Sequence, residues 1–423
     1  MSLDRRVVAL GFARLADSFG NALLIVVLPL YVASGQVSGW SLGLSTTVVT
    51  GVVLAAFGIF DSVVQPFAGY ASDRSGRRRA FVLGGLVVLA VTNAAFAATA
   101  SYLGVFAVRV LQGLGVGVTV TASVALIDEY STTDDRGANF GIFNALRLIG
   151  FGTGPLVAGL VVARGPYDLA GHLVSGFTAA FDVAAVAAVL GLVVVGALVR
   201  DPETTQVVAG GDISLSVLDG SGGLDPVFAL GLATLFVAVG ISLFATIEPE
   251  INHRLGQGPT AFGGEFAAFV LAFVVVQPIV GRLSDRYGRK PFIVAGLVLV
   301  TPVLFAQGFV WTTWAMGLLR TIQGAGAAMT FGPALALAGD LATTGDSGTK
   351  LSVLTAAFGL GAGVGPLVAG PLMAFGFAGP FVVGAALSAV GAAIVFTQVE
   401  ETVPGVGAGG AGDAAPARHS AED

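Results

Sequence analysis

The sequence predicts an all-α membrane protein with twelve transmembrane helices in two six-helix bundles, related by a parallel pseudo-two-fold repeat. Three observations predict this fold. Only 11% of the 423 residues are charged and 55% are hydrophobic, whereas a soluble protein carries about 25% charged residues to hydrate its surface. Twelve long apolar runs divide the chain, and its two halves share motifs at a constant offset. The composition therefore excludes a soluble enzyme.

The apolar runs have the length of membrane-spanning helices, which need about 20 apolar residues to cross a hydrocarbon core about 30 Å thick. A lipid-embedded segment must satisfy its own backbone hydrogen bonds, so only helices or closed barrels span a bilayer. These runs are too long and too continuously apolar for barrel strands. The predicted spans are 7–32, 45–71, 80–99, 102–126, 139–163, 174–198, 226–248, 262–283, 291–310, 313–338, 350–374 and 377–397.

The first run resembles a signal peptide only in following two arginines. Its apolar stretch is too long and contains Arg14 and Asp17, so we expect an uncleaved first helix. The Gly-, Asp- and Ser-rich stretch 200–225 is predicted to be a cytoplasmic linker. The predicted domains are an N-terminal bundle at 1–199, a C-terminal bundle at 226–398 and a disordered cytoplasmic tail at 399–423.

Basic residues in the short loops predict the orientation of the chain, because cytoplasmic loops are enriched in Lys and Arg. The loops of one side carry most of them, namely Arg5, Arg6, Arg74, Arg77, Arg78, Arg79, Arg136, Arg200, Arg286, Arg289, Lys290 and Lys350. The opposite side has Arg164 and Arg254. We therefore predict a multi-pass plasma-membrane protein with both termini in the cytoplasm.

An internal duplication relates the two halves. The loop GYASDRSGRRR, starting at Gly69, recurs as GRLSDRYGRK, starting at Gly281, an offset of 212 residues. Further pairs at offsets of 211 or 212 are Arg109-Val-Leu-Gln112-Gly113 with Arg320-Thr-Ile-Gln323-Gly324, Gly154-Pro155-Leu-Val-Ala-Gly159 with Gly365-Pro366-Leu-Val-Ala-Gly370, and Asp128 with Asp340. Six spans are an even number, so both halves keep one orientation, as in two-domain transporters whose substrate path lies between parallel repeats.

These motifs resemble those of the major facilitator superfamily, and the similarity covers nearly the whole chain. The loop after span 2 resembles the family's loop signature at Gly69, Asp73, Arg74, Gly76 and Arg77, with a copy at Gly281, Asp285, Arg286, Gly288 and Arg289. The fourth-span signature is matched by Arg109, Gln112 and Gly113 and copied by Arg320, Gln323 and Gly324. The fifth-span motif associated with antiporters is matched by Gly141, Gly150, Gly154, Pro155 and Gly159, and copied by Gly365 and Pro366.

Two departures and additions accompany the resemblance. Ala158 stands where the fifth-span motif usually has a second glycine, and Asp201-Pro202-Glu203-Thr204 resembles the acidic stretch that follows span 6. The resemblance implies two bundles that rock about a central site, and it is nearest to the twelve-span drug/proton antiporters.

The loop signature is expected to form a cytoplasmic gate. Asp73 ends span 2 near membrane level, where an unpaired carboxylate is costly, and Arg77 and Asp128 are its expected partners. Gly69 allows close helix approach, and Gly76 allows a turn with positive φ. The resemblance implies a charge latch that holds the cytoplasmic side shut, extended in the copy by Asp285, Arg289 and Asp340. The alternative, a plain topology signal, explains Arg78 and Arg79 but not the recurring spacing.

Small residues in span 5 are expected to form a packing stripe. Gly150, Gly154 and Ala158 are four residues apart, and such stripes let helices approach closely in lipid. Pro155 removes a backbone donor and bends the helix. The resemblance implies that this face meets the other half across the transport path. Ordinary helix packing within one half is the alternative.

Charged residues inside the spans are the candidates for coupling or substrate binding. They are Asp17, Asp61, Arg109, Arg147, Asp182 and Arg320, and each costs a few kcal/mol at mid-membrane. A carboxyl in a low-dielectric site can bind and release a proton, which makes Asp17 and Asp61 the first candidates. Arg109 could pair with either, and Arg147 points into the path or towards Asp17. A structural ion pair is the alternative for each of these residues.

The C-terminal half carries an aromatic row and three glutamates. Phe262, Phe266, Phe269 and Phe273 recur at helical spacing in span 8 and could form an aromatic wall towards a substrate or pack in the core. Glu248, Glu250 and Glu265 are expected near outer span ends in solvated positions.

The sequence favours secondary active transport. No Walker loop is present, and neither cysteines nor clustered histidines offer a metal site. We expect a monomer that uses no cofactor, binds no nucleic acid and moves a small-molecule substrate across the lipid bilayer by alternating access, with proton-coupled efflux as the first hypothesis. A proton symporter or facilitator for a metabolite is the alternative, and a non-transporting membrane sensor is a distant one. No set of residues suggests an enzyme.

Overall fold

The structure is a computed structural model, and it describes residues 4–132, 135–169, 171–202, 217–218, 223–341 and 347–402. Most of the predicted linker and almost all of the predicted tail lie outside these residues, as do Glu203 and Thr204 of the acidic stretch and the side chain of Lys350.

Helices make up nearly all of the described chain. They are α1 (Arg5–Ala33), α2 (Thr46–Ser75), α3 (Arg78–Ala95), α4 (Tyr102–Tyr130), α5 (Arg136–Arg164), α6 (Gly176–Leu198), α7 (Pro226–Thr246), α8 (Glu248–Leu255), α9 (Pro259–Tyr287), α10 (Arg289–Gln307), α11 (Thr313–Asp340), α12 (Ser347–Leu372) and α13 (Gly379–Gln398). An antiparallel hairpin of β1 (Tyr167–Leu169) and β2 (His172–Val174) joins α5 to α6 and pairs Asp168 with Leu173.

Eleven of the helices described are long and apolar enough to cross a membrane, which confirms the predicted fold class. The tenth predicted span corresponds to α11, which is 28 residues long but is not among those eleven, so a total of twelve spans stays a prediction. Sequence reading missed the short helix α8, which is polar and follows α7 directly.

Local sequence explains where the helices begin and end. Ser175 Oγ accepts from the Thr178 amide at the start of α6, and Asp225 accepts from two amides at the start of α7, as N-cap residues do. Before α1, the Arg6 side chain lowers the pKa of Asp4 by hydrogen bonding to it. Gly76 ends α2 with φ of 63°, which confirms the predicted positive-φ turn.

The two ends of the helix assembly differ in charge. We call the end with the loops at Arg74–Arg79 and Arg286–Lys290 the basic end, and the end with the β1–β2 hairpin the hairpin end. Arg254 at the hairpin end packs between the rings of Trp311 and Phe377, 3.7 and 4.5 Å from their centroids. The loop arginines and lysine thus collect at one end, as the sequence predicts.

The helices pack as two bundles. In the N-terminal half α1 packs on α5 and α6, and α3 packs on α4 and α6; in the C-terminal half α7 packs on α12 and α13, and α11 packs on α9 and α10. The main contacts between the halves are α2 with α12 and α5 with α9. These two pairs are equivalent under the sequence duplication, which is consistent with the predicted pseudo-two-fold relation.

The fourth-span glycines let helices approach within each half. A Cβ at Gly113 would lie 2.5 Å from the Phe57 carbonyl oxygen and 3.0 Å from the Asp61 amide nitrogen. Gly324 meets the Phe269 carbonyl in the same way, and Phe57 and Phe269 are themselves 212 residues apart. The repeated glycine therefore serves helix packing in both bundles.

We expect Gly113→Val to destabilise the protein by about 1–3 kcal/mol, the usual cost of overpacking, because the new side chain meets backbone rather than a side chain that can move. Thermal unfolding of the purified protein in detergent would measure this as a lower midpoint. Gly141→Val is the matched control, because a Cβ there meets nothing within 4 Å and the change in helix propensity is the same. Equal midpoints for the two variants would contradict the prediction.

Candidate functional site

Asp17 lies near the middle of α1, about 18 Å along the helix from its first residue, and is only 4% exposed. Its carboxylate is ion-paired with Arg14, one turn earlier in α1. Arg147 of α5 interacts electrostatically with both residues, and its Nε donates to Asn144 at 3.0 Å. Asp17 is therefore flanked by two cations, and Arg147 lies towards Asp17 as one sequence interpretation had it.

Asp61 of α2 lies close enough to Asp17 and Arg14 to interact with them electrostatically. Its Oδ1 accepts from Gln65 Nε2 at 3.0 Å. A Cβ at Gly117 of α4 would be 2.7 Å from the Asp61 carbonyl oxygen, so glycine is needed for α4 to pass Asp61. We call Arg14, Asp17, Asp61 and Arg147 the N-half charge cluster.

Arg109 lies beside this cluster and is 1% exposed. Its Nη1 donates to Gln112 at 3.0 Å and its Nη2 to Asn21 at 3.3 Å, while Gln112 donates to Asn93 at 2.6 Å. The guanidinium also lies 4.6 Å from the centre of the Phe57 ring. Amides and a ring thus hold Arg109, and in the described chain it is ion-paired with neither aspartate. A small pocket lies between Asp17, Asn21, Asn93, Arg109 and Gln112.

The C-terminal half repeats this network. Arg320, 0% exposed, donates from Nη1 to Gln323 Oε1 at 2.7 Å, and Gln307 donates to the same oxygen at 3.0 Å. Its guanidinium lies 4.0 Å from the ring of Phe244 and 4.6 Å from that of Phe269. The repeated Arg-x-x-Gln pair therefore forms one buried polar knot in each bundle.

The aromatic row of span 8 packs in the core. Phe262, Phe266 and Phe269 are buried, Phe244 stacks on Phe262 with centroids 4.7 Å apart, and Arg320 occupies the faces of Phe244 and Phe269. Among the described residues these rings contact protein, which favours the core alternative over a substrate wall.

Two other expectations need correction or restriction. Asp182 is exposed on α6, so it does not join the buried cluster. Glu248 and Glu265 are 0% and 3% exposed, so the expected solvated positions are wrong for both. The apolar run around Glu265, between Phe262 and Phe266, was the signal that could have indicated its burial.

The predicted gate pairs differ between the halves. In the N-terminal half Arg78, not Arg77, pairs with Asp73 at 2.8 Å and with Glu129 at 3.0 Å. Asp128 pairs with Arg136 at 2.6 Å, so the expected Arg77–Asp128 pair is wrong. In the C-terminal half Arg289 pairs with Asp340 at 2.6 Å and Asp285 at 3.4 Å, as expected.

The other gate residues have local roles. Arg74 donates to the Tyr70 hydroxyl at 3.1 Å, and Arg286 lies over the ring of Tyr287. A Cβ at Gly69 would be 3.4 Å from Thr121, whereas none of the described chain lies within 4 Å of one at Gly281. Each ion pair at the basic end joins helices of one half, so the described pairs do not latch the two halves together.

The small-residue stripe of α5 faces its own half. A Cβ at Gly154 would be 2.6 Å from the Phe19 carbonyl oxygen, and Gly150 likewise faces α1 at Leu15 and Phe19. In the copy, Gly361 and Gly365 face α7. The expectation that this stripe meets the other half is therefore wrong for Gly150 and Gly154, and Gly141 has an exposed position.

The contacts between the halves come instead from the prolines and the last glycines of the motif. The Pro155 carbonyl faces Gly263 of α9, and Gly159 faces Pro259 and Thr260. In the copy, the Pro366 carbonyl faces Gly51 of α2, and Gly370 faces Thr47 and Val48. Every contact in the second set lies 211 or 212 residues from its counterpart in the first.

These contacts close the hairpin end. Thr47 Oγ1 donates to Glu250 Oε1 at 2.7 Å, and Thr260 Oγ1 donates to the Gly159 carbonyl at 3.1 Å. Both bonds cross between the halves. The described side-chain hydrogen bonds between the halves thus lie at the hairpin end, while the ion pairs of the basic end stay within each half.

The acidic stretch after span 6 secures a helix start. Asp201 Oδ1 accepts from the Arg79 amide at 2.7 Å, at the first turn of α3. Glu401, after α13, accepts from the Lys290 amide at 2.8 Å, at the first turn of α10. Carboxylates are stabilising at helix N-termini, so the last helix of each half fixes the start of its third.

Comparison with known proteins agrees with this architecture. The family model of the Major Facilitator Superfamily matches residues 10–218 and 230–420. The quinolone resistance protein NorA of Staphylococcus aureus (strain MSSA476) is 23% identical over 414 residues, covering 94% of this chain and 97% of that protein. Multidrug resistance protein 2 of Bacillus subtilis (strain 168) is 25% identical over 290 residues, covering 68% of each chain.

Solved structures share the fold. A bacterial homolog of the human lysosomal transporter Spinster, in an inward-facing and occupied conformation, superposes with a TM-score of 0.78 at 14% identity over 94% of this chain and 97% of that one. A D-xylose–proton symporter superposes with a TM-score of 0.70 at 18% identity over 94% and 97%. The chain is a multi-pass plasma-membrane transport protein rather than an enzyme, and it belongs to the Major Facilitator Superfamily.

Proposed function

We propose that this protein exports small organic compounds, drug-like ones among them, in exchange for protons. The observation that carries the proposal is the N-half charge cluster, where two carboxyls lie at mid-membrane beside Arg14 and Arg147. Intramembrane carboxyls of this kind mark proton relays and substrate paths. The resistance proteins NorA and multidrug resistance protein 2 support drug-like substrates, since their names record resistance to quinolones and to multiple drugs.

The proposed orientation places the basic end in the cytoplasm, following the excess of Lys and Arg there. The bundles 1–199 and 226–398, twelve spans with α11 counted, are then joined by a cytoplasmic linker at 200–225 and followed by a cytoplasmic tail at 399–423. We propose that the monomer is the working unit. Closure at the hairpin end then corresponds to the inward-facing state.

The exchange follows from charge compensation in the cluster. With Asp17 ionised, its pair with Arg14 leaves Arg147 as the surplus cation, and with Asp61 ionised the cluster is neutral. A proton arriving from outside neutralises one carboxyl and changes that balance. A substrate arriving from the cytoplasm displaces the proton to the cytoplasm, and the halves rock about the contacts of α2 with α12 and α5 with α9. Arg109 and Arg147 hold the carboxyls in place, and Asp182 stays a candidate on the rim.

A symporter for a metabolite is the second candidate, favoured by the likeness of fold to the D-xylose–proton symporter. The direction of the gradient separates the two. In an antiporter, acid inside a vesicle drives substrate inward as protons leave. In a symporter, acid outside does so.

Reconstituted vesicles test the proposal with two fluorescent probes, the quinolone norfloxacin and the cation ethidium. A pH gradient of one unit is worth about 1.4 kcal/mol per proton, so one-for-one exchange gives about tenfold accumulation in acid-loaded vesicles. Accumulation only with acid outside would replace antiport by symport. Accumulation that follows a sodium gradient at uniform pH would overturn proton coupling.

A further inference from the structure

A second pair of buried carboxyls lies in the C-terminal half, away from the N-half charge cluster. Glu265 belongs to α9 and Glu248 to α8, and the two interact electrostatically. Both oxygens of Glu265 and Oε2 of Glu248 are buried without a hydrogen-bond partner in the described chain. Asn252 donates to the other oxygen of Glu248 at 3.4 Å. The pair lies near the hairpin end, about 9 Å along α9 from its first residue.

Arg320 faces this pair from α11. Its Nη2 and Nε are buried and have no hydrogen-bond partner among the described residues, and Glu265 is the carboxyl with which it interacts electrostatically. No ion pair within 4.0 Å joins the two in the described chain. An unpaired buried cation thus lies beside an unpaired buried carboxyl. This arrangement is costly unless the carboxyl is neutral.

The charged groups of the neighbouring helices are engaged elsewhere. Arg14 and Asp17 of α1 pair with each other, and Glu250 of α8 accepts from Thr47 across the halves. The remaining charged groups face away, with Arg254 on Trp311, His253 exposed, Arg147 in the N-half charge cluster, and Arg289 and Lys290 at the basic end. Arg320 and Glu248 are therefore the charged groups that face Glu265.

The ligand that fits this site is a proton. A metal ion would have to bind beside the guanidinium of Arg320, and the described chain holds no group of three or more acidic, His or Cys side chains that could bind one. Burial raises the pKa of Glu248, which lies between the spans, well above its usual range. Glu248 is therefore a neutral neighbour at physiological pH, and Glu265 is the carboxyl that can gain or lose charge against Arg320.

We propose that Glu265 is a second proton-binding site, at which proton loss creates an ion pair with Arg320 and loosens the closure of the hairpin end. Gly263 and Pro259, which face α5 across the halves, lie within two turns of Glu265 on α9. A shift of α9 towards α11 to form the ion pair therefore acts directly on that contact. The proton at Glu265 thus favours the closed hairpin end, and this role rests on the proposed proton-coupled transport.

Infrared spectroscopy of the full chain in lipid tests the protonation directly. At neutral pH we expect the wild type to show the carbonyl stretch of a buried, protonated carboxyl, and Glu265→Gln to lose one component of that band. Asp168→Asn is the matched control, because Asp168 is an exposed carboxylate at the hairpin end, and it should leave the band intact. An unchanged band in Glu265→Gln would overturn the proposal.

Cysteine labelling tests the link to closure. The chain has no cysteine, so Thr260→Cys reports on the α5–α9 contact alone through an impermeant maleimide. We expect labelling to rise several-fold from acidic to alkaline pH, and to stay low at both in Glu265→Gln, whose side chain mimics the protonated state. A rise that persists in Glu265→Gln would overturn the link.

Transport separates this proposal from the proposed function. We expect Glu265→Gln to bring norfloxacin or ethidium accumulation in acid-loaded vesicles close to equilibrium, with Asp168→Asn unaffected. Full accumulation in Glu265→Gln, with loss in Asp17→Asn, would remove Glu265 from coupling and leave antiport intact. If the wild type itself ignores pH, the antiport proposal fails, and the infrared band still decides whether Glu265 binds a proton.

Discussion

Replacing Asp17 with Asn should abolish accumulation driven by a pH gradient. For one-for-one exchange, a gradient of one pH unit sustains about tenfold accumulation, and the variant should fall to equilibrium. The physical reason is that the amide cannot bind and release the proton, while Arg14 and Arg147 keep their charges. Uptake of norfloxacin or ethidium into acid-loaded vesicles measures the effect.

The single variant also leaves buried cations uncompensated, which by itself costs stability. The double variant Arg14→Gln/Asp17→Asn removes both members of the ion pair and should restore the unfolding midpoint. Coupling should stay lost in the double variant. Recovery of tenfold accumulation with that charge-balanced pair would make Asp17 a structural partner only, and Asp61 would then be the carboxyl to substitute.

The fold was predictable because its signals are collective. About 20 apolar residues per span, repeated along the chain, outweigh any single local preference, and the duplication adds an independent check. The helix α8 escaped because it is eight residues long and polar, so neither hydropathy nor helical periodicity marks it. Its presence places Glu248 in a buried position that span counting assigned to a solvated end.

Pairing within the gate was less predictable because it depends on where a helix begins. In each half the arginine that pairs with the aspartate is the first residue of the following helix, Arg78 in α3 and Arg289 in α10. The two loops differ by one residue at this point, although Arg77 aligns with Arg289. Sequence alignment of the repeats therefore selects Arg77, whereas helix geometry selects Arg78.

The span-5 stripe shows a similar limit. A spacing of four small residues predicts close helix packing, and the structure has it at Gly150 and Gly154. Spacing does not specify the partner, which is α1 of the same half. The interface between the halves uses the neighbouring Pro155 and Gly159, which lie on an adjacent face of α5.

Closure at the hairpin end should fail when Gly263 becomes Val. A Cβ at Gly263 would lie 2.9 Å from the Pro155 carbonyl carbon and 3.3 Å from the Leu156 Cα. Both atoms are backbone, and in packed helices they have nowhere to move. The variant should fold, because the clash lies between the bundles and not within one, and it should favour the state that is open at this end. Transport should fall about tenfold or more, since a bias of about 1.4 kcal/mol already shifts a two-state balance tenfold.

The adjacent residue provides the matched control. A Cβ at Gly264 meets nothing within 4 Å, so Gly264→Val makes the same chemical change on the same helix without the clash. Introduced with Thr260→Cys, Gly263→Val should raise labelling by the impermeant maleimide several-fold, whereas Gly264→Val should leave it at the wild-type level. The equivalent contact predicts the same result for Gly51→Val on α2, where the Pro366 carbonyl carbon would lie 3.0 Å from the new Cβ. Low labelling in both interface variants, with normal transport, would show that these glycines do not control closure, because the rocking of the halves requires both contacts to open together.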